Sequence, residues 1–185
     1  MSSTSSDAGG HSPIDDFSQC HAGILDHLQA LGTLPALLEP AARARQIAAD
    51  TVGFFRAAVY EHHAEEEKEL FPAVLASATR GEEHDRVRAI VDTLTAEHRK
   101  VEAAWAKLEP KLKALAKGHE TDVEGADIQS LVDSYQAHAR YEEAVFLPLS
   151  QTILGRNSNH LAALGVAMHM RHAMPHVLQR FAGRI

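Results

Sequence analysis

Residues 61–72 read EHHAEEEKELFP, and residues 138–148 read HARYEEAVFLP. Aligned on their prolines, both segments have a histidine, three residues, two glutamates, four residues and then proline. A histidine and a glutamate four residues apart lie on one face of a helix, one turn from each other. Two such pairs that face each other across a helical bundle would bring imidazoles and carboxylates together, which is a donor set for metal ions.

The composition limits the class of protein. The chain has 185 residues, a net charge of −7, few aromatic residues and 13 histidines. It is long enough for one domain with a buried core, and its content of Ala, Leu, Glu and Arg favours helices. The negative charge argues against nucleic acid as a partner, and no apolar run reaches the roughly 18 residues of a membrane span. The single cysteine, Cys20, excludes an internal disulfide and favours a cytoplasmic protein.

Apolar residues recur at steps of three and four along the chain. This pattern predicts an all-α, up-down-up-down four-helix bundle with an additional C-terminal helix. The predicted helices run from about residue 14 to 32–35, from about 41 to 78, from after Gly81 to about 117, and from near a capping box at 121–124 to the break at Gly155, with a last segment from about 160 to 181. We assign residues 1–12 to a disordered tail, 13–155 to the bundle and 156–185 to a C-terminal helical extension. The bundle is expected to be a monomer or a homodimer.

Polar side chains interrupt each predicted core seam. The first seam is Phe17, His21, Ile24, Leu28 and Leu31; the second is Val52, Phe55, Val59, His62, Glu66 and Leu70; the third is Val87, Val91, Leu94, His98, Val101, Trp105, Leu108 and Leu112; the fourth is Leu131, Tyr135, His138, Glu142, Val145 and Leu149. In the second helix, His63 and Glu67 have the same spacing as His62 and Glu66. The alignment on the prolines selects His62 and Glu66 as inward-facing, and His63, Glu65 and Glu67 as outward-facing.

A single buried histidine is usually hydrogen-bonded core, but the whole set is harder to explain in that way. Burying several imidazoles and two carboxylates is costly without positive charge, and the seams contain no Lys or Arg. A metal would supply that charge. Nitrogen and oxygen donors without thiolate suit Fe, Mn or Zn, and six or seven donors are too many for one tetrahedral zinc. A centre with two irons is the leading interpretation.

The order of these residues along four helices resembles the hemerythrin HHE domain, and the bacterial hemerythrin-like proteins in particular, over about residues 14–150. The resemblance implies two iron ions (Fe2+/Fe3+) with a bridging oxygen. It implies four histidine ligands and two bridging glutamates, which are His21, His62, His98, His138, Glu66 and Glu142. In the oxygen-carrying members of the family another histidine follows one turn after the ligand in the third helix, and here that position is Glu102.

Two roles for Glu102 stay open. As a metal ligand it would favour the ferric state, and we then expect faster autoxidation and poorer oxygen storage. As an outer carboxylate it would hold a ligand imidazole by a hydrogen bond. Tyr135, one turn before His138, is either plain core or a hydrogen-bond donor to the site.

The resemblance implies a protein that binds or senses oxygen or a related small molecule, such as nitric oxide or peroxide. The alternative is a di-iron oxidase or peroxidase that acts in oxidative or nitrosative stress or in iron handling, so an enzymatic role stays open. A third interpretation is a bundle that holds zinc only for its structure. Three histidines of the C-terminal segment, His169, His172 and His176, share a helix face. They would suit a second metal site, but no carboxylate has a matching spacing, and we interpret them as a solvated face or a dimer contact.

Overall fold

The computed structural model describes residues 13–156 of the chain, and the side chains of residues 19–156. Every regular element in that range is helical, which confirms the predicted all-α class. The α-helices are α1 (Pro13–Phe54), α2 (Tyr60–Glu65), α3 (Phe71–Ser77), α4 (Glu82–Ala116), α5 (Gly125–Tyr141) and α6 (Leu147–Leu154), and between them lie three π-helical segments, π1 (Phe55–Val59), π2 (Glu66–Leu70) and π3 (Glu142–Phe146). None of the described helices is long and apolar enough to cross a membrane.

The number of long helices differs from the prediction. The expected break between Gly32 and Pro35 does not occur, because α1 continues from Pro13 to Phe54 and contains both Pro35 and Pro40. Each proline removes one helical hydrogen bond, but the flanking residues, ALLE at 36–39 and AARAR at 41–45, are strong helix formers. The described part of the chain therefore forms three long helical stretches, 13–77, 82–116 and 125–154, in place of the four predicted.

The chain divides into two compact units between Arg43 and Ala44. In the first unit, the side chains of Ile24, Leu28 and Leu31 are 50%, 55% and 56% exposed. The prediction that this stripe is a buried seam is therefore wrong for the described structure. His21 lies on the same exposed part of α1. The predicted tail, the C-terminal extension after Arg156 and the histidines at 169, 172 and 176 lie outside the described residues.

Helix α4 carries the central seam of the second unit. All eight residues predicted for this seam, from Val87 to Leu112, are buried. The part before His98 belongs to one apolar cluster, which also contains Phe71 and Phe146. The part after His98 belongs to a second cluster, in which the ring of Trp105 stacks on that of Phe55 with centroids 4.0 Å apart. His98 therefore lies between two apolar clusters.

The π-helical segments change which residues face the core. The Phe71 N–H donates to the Glu66 carbonyl, and the Leu147 N–H donates to the Glu142 carbonyl, in each case across five residues instead of four. Each such turn contains one extra residue. In the last stretch the next buried residues after Glu142 are Phe146 and Ser150, so the buried face there lies one position later than the predicted Val145 and Leu149.

Candidate metal centre

Three imidazoles from three helices meet in the layer between the apolar clusters. His63 of α2, His98 of α4 and His138 of α5 are at most 1% exposed, and each offers a ring nitrogen within 4.8 Å of those of the other two. The rings of His63 and His98 are parallel, with centroids 3.8 Å apart and planes 6° apart. The ring of His138 is inclined to both. This arrangement is suited to a cation held by three imidazole nitrogens.

A second group of donors consists of His62, Glu66 and Glu142, whose ligand atoms also lie within 4.8 Å of one another. The Nε2 atom of His62 is 3.6 Å from one carboxylate oxygen of Glu66. The other oxygen of Glu66 is 3.2 Å from Nε2 of His98, which belongs to the first group. The carboxylate of Glu66 therefore lies between the two groups, where it is able to bridge two ions.

Each of the three buried imidazoles contacts a carboxylate through Nδ1. The Nδ1 atom of His98 is 2.8 Å from Glu67, that of His63 is 3.3 Å from Glu102, and that of His138 is 3.2 Å from Glu97. When Nδ1 carries the proton and donates it to the carboxylate, the lone pair of Nε2 is free to bind a metal. Carboxylates in this position fix the ring orientation and make the imidazole a stronger ligand.

Burial sets the protonation of the metal-free site. It lowers the pKa of His63 to about 2 and also lowers the pKa of His62 and of His138, so these imidazoles are neutral at physiological pH. Burial also raises the pKa of Glu66 to about 7 and that of Glu142 to about 8, and the neighbouring Glu66 carboxylate adds to the rise at Glu142. The two buried carboxylates therefore favour their protonated forms when no cation is present.

The site contains buried polar atoms that lack partners. Nε2 of His63, His98 and His138 and both carboxylate oxygens of Glu66 form no hydrogen bond of adequate geometry with a described residue, although Nε2 of His98 lies 3.2 Å from Glu66. Each such atom costs about 1–3 kcal/mol if it stays unsatisfied. All five are atoms that bind metals, and they belong to the two donor groups. The residues present therefore fit a pair of metal ions.

The structure brings together most of the residues predicted for the site. His98, His138, Glu66 and Glu142 are buried in the two groups, and His62 lies at their edge with its side chain 22% exposed. The predicted ligand His21 belongs to the first unit, whereas both groups are formed by residues of the second. The carboxylate of Glu102 contacts the Nδ1 atom of His63.

Two orientations predicted from the sequence are wrong. His63 was expected to face outward and is buried, and Glu67, also expected to face outward, contacts the buried His98. His62 and His63 each supply a ring nitrogen to one of the two donor groups, so both adjacent histidines face the site. The signal in the sequence was the second pair at the same spacing, His63 and Glu67. No pattern in the sequence indicated that the carboxylate of Glu97 contacts His138.

Comparison with known proteins agrees with this geometry. Residues 12–150 match the family described as the Hemerythrin HHE cation binding domain. The chain belongs to this hemerythrin HHE family. It is also similar to an uncharacterized protein of Haemophilus influenzae, with 25% identity over 158 residues that cover 82% of this chain and 88% of the relative. No solved structure gives a significant match. The family and the two donor groups together indicate that this HHE protein binds metal cations.

Proposed function

We propose that this HHE protein holds two iron ions and binds or senses oxygen or a related small molecule, such as nitric oxide or peroxide. The observation that carries the proposal is the set of unpartnered Nε2 atoms of His63, His98 and His138 next to the buried carboxylates of Glu66 and Glu142. Imidazole and carboxylate donors without a thiolate suit iron. Two irons bound there would supply reversible one-electron oxidation and a position for a small ligand.

The two donor groups suggest a division of the ligands. His63, His98 and His138 would hold one ion. His62 would hold the other. Glu66 and Glu142 would contact both, because Glu66 lies close to histidines of each group, and Glu142, a member of the second group, lies 3.9 Å from Nε2 of His138 in the first. The resemblance to the family implies one further ligand, His21, and a His21→Ala variant tests that implication through the iron content.

In this arrangement Glu102 is an outer carboxylate and not a ligand. Its Oε1 atom lies 3.3 Å from Nδ1 of His63, and His63 supplies the third imidazole of its group. The expectation of faster autoxidation depended on Glu102 as an anionic ligand. With three imidazoles and no Glu102 carboxylate at this ion, that reason for rapid autoxidation no longer applies, and reversible binding of oxygen becomes more compatible with the site.

Apolar clusters flank the polar layer, and one tyrosine ring lies beside it. The clusters around Phe71 and around Trp105 cover the two ends of the polar layer. The ring of Tyr135 lies 6.0 Å from that of His138 and 6.4 Å from that of His63, measured between centroids. Burial, and then the charges of Glu66 and Glu142, raise the pKa of Tyr135, so its hydroxyl keeps its proton at neutral pH.

The second candidate function is that of a di-iron oxidase or peroxidase. The position of Tyr135 favours it, because a protonated phenol beside a redox-active metal is able to donate a hydrogen bond or a proton. Turnover of hydrogen peroxide by the iron-loaded protein, and loss of that turnover in Tyr135→Phe, would support the enzyme. Binding without turnover would support the carrier or sensor.

The first experiment is metal analysis with optical spectra on protein purified without added metal. Spectra are recorded as purified, after reduction with dithionite, and after exposure to air. The proposal expects two irons per chain, one for each donor group, and near-ultraviolet bands that bleach on reduction and return in air. Zinc alone, with no band that responds to dithionite, would contradict the proposal and support a structural bundle.

A further inference from the structure

Arg99, one position after the buried His98, joins two of the three carboxylates that hold the imidazoles. Its Nη2 atom donates to Oε2 of Glu67, and its Nη1 atom donates to Oε2 of Glu102. The remaining oxygen of each carboxylate contacts an imidazole, Oε1 of Glu67 with His98 and Oε1 of Glu102 with His63. One guanidinium therefore links two parallel chains of contacts that lead from the surface to the site.

The exposure of these groups falls from the surface inward. The side chain of Arg99 is 53% exposed, those of Glu67 and Glu102 are 26% and 21% exposed, and those of His98 and His63 are at most 2% exposed. An ion pair this exposed contributes little to the stability of a fold. Its geometry matters more, because the planar fork of arginine fixes the positions of two carboxylates at once.

The third imidazole is held differently. Glu97 contacts Nδ1 of His138, and among the described residues no Lys or Arg forms an ion pair with Glu97. The two imidazoles linked to Arg99 are the pair that stacks in parallel, with ring centroids 3.8 Å apart. The two imidazoles whose carboxylates bind Arg99 are thus the same two whose rings pack in parallel, His63 and His98.

We propose that Arg99 is a positioning residue for the metal centre, which aligns the Nε2 atoms of His63 and His98 through Glu67 and Glu102 and limits the negative charge that these carboxylates place on the imidazoles. This inference rests on the proposed metal site. Without Arg99, the two carboxylates would be mobile, and the imidazoles that they hold would be misaligned. The carboxylates would also accept stronger hydrogen bonds from the Nδ1 protons, which would make the imidazoles more electron-rich. Electron-rich ligands favour the oxidised metal.

The experiment compares full-length Arg99→Met, Arg99→Lys and a control, Arg88→Met, which changes an exposed arginine of the same helix. Anaerobic titration with Fe2+ against a competing chelator gives the dissociation constants, and a redox titration of the loaded protein gives the midpoint potential. Arg99→Met should weaken the binding of one of the two irons about 10- to 100-fold, the usual effect of losing an outer partner of a ligand. It should also lower the midpoint potential. Arg99→Lys should restore the potential more fully than the affinity, since lysine keeps the charge but lacks the fork.

Equal dissociation constants and potentials in Arg99→Met and Arg88→Met would overturn the inference while leaving the proposed iron site intact. Failure of the unchanged protein to bind Fe2+ would overturn the proposed function and this inference together. If Arg99→Met fails to fold, Arg99→Lys decides the matter, and an affinity equal to that of the control would then count against the positioning role.

Discussion

The two segments that repeat in the sequence, 62–72 and 138–148, form nearly the same local structure and yet supply different ligands. In both, the first glutamate of the Glu-Glu pair begins a π-helical segment, and a proline follows that segment at the second position of the next helix. The first segment contributes two adjacent histidines, His62 and His63, one to each donor group. The second contributes only His138, because the next residue is Ala139.

The two segments share a π-helical turn that begins at the buried glutamate, Glu66 in one and Glu142 in the other. The proline that follows each turn lacks the N–H that a regular α-helical turn would need. A further π-helical segment, π1, precedes the first repeat and has no counterpart before His138 among the described residues.

The largest effect is expected from single-residue deletions that test the role of the π-helical turns. Deleting Lys68 from π2, or Ala144 from π3, removes an exposed residue and allows the turn to become α-helical, so the helix beyond it keeps its buried face. We expect both variants to unfold cooperatively on heating but to lose bound iron, because Glu66 or Glu142 moves. Circular dichroism and metal analysis measure the two outcomes.

The matched control deletes Asp92, an exposed residue in the regular part of α4. This deletion rotates the rest of the helix by about 100° and takes Val101, Trp105 and Leu108 off the core. Each displaced side chain costs about 2–5 kcal/mol against a total stability of about 5–15 kcal/mol, so this variant should not fold. If the Lys68 deletion prevents folding as the Asp92 deletion does, the residue added by the π-helical turn is needed for the fold and not only for the metal site.

The second effect concerns the adjacent histidines of the first segment. His63→Ala removes one of three imidazoles from its group and should weaken iron binding there by more than ~100-fold, which is the upper range for the loss of an outer partner alone. His62→Ala should affect the other ion, because His62 belongs to the second group. Iron content and spectra measure both, with His84→Ala in α4 as the control. A His63→Ala protein with two irons and an unchanged spectrum would restore the register predicted from the sequence.

Sequence reasoning succeeded where the helix is regular. The seam of α4 was predicted correctly at every position from Val87 to Leu112, and His98 was placed in the core. Beyond π3 the buried position is one residue later than predicted, Phe146 in place of Val145. In the first segment Glu66 and Leu70 are buried as predicted, and His63 is buried in addition. Glu97 and His138 are 41 residues apart in sequence, and their contact depends on how two different helices pack. No periodicity within one helix encodes such a contact.

A third, smaller effect is the pH dependence of the metal-free protein. Burial raises the pKa of Glu66 to about 7 and of Glu142 to about 8, above their ordinary value of 4.5. The folded state therefore binds more protons than the unfolded state, and the stability that this contributes below pH 4.5 is lost as the pH rises through about 7 to 8. The Tm of the metal-free protein should fall from pH 6.5 to pH 9.

Glu142→Gln should flatten this fall, because the amide does not ionise, and Glu66→Gln should do so mainly at the lower end of the range. Glu143→Gln, at the exposed neighbour in the same segment, is the control. Differential scanning calorimetry in the presence of a chelator measures the midpoints. Identical pH profiles in Glu142→Gln and Glu143→Gln would show that the Glu142 carboxyl is not held in its protonated form.

The smallest effect separates the outer partners of the two segments. Glu97 holds His138 of the second segment, whereas Glu102 holds His63 of the first and is also bound to Arg99. Glu97→Ala should weaken iron binding about 10-fold, at the lower end for an outer partner, since the His138 ring stays packed against His63 and His98. Glu102→Ala should cost more, because it also releases Arg99 and so loosens Glu67. Chelator competition could instead show that Glu97→Ala weakens iron binding more than Glu102→Ala does. The position of His138 would then depend more on its carboxylate than on packing. The difference between the two segments would lie in their helices and not in the link through Arg99.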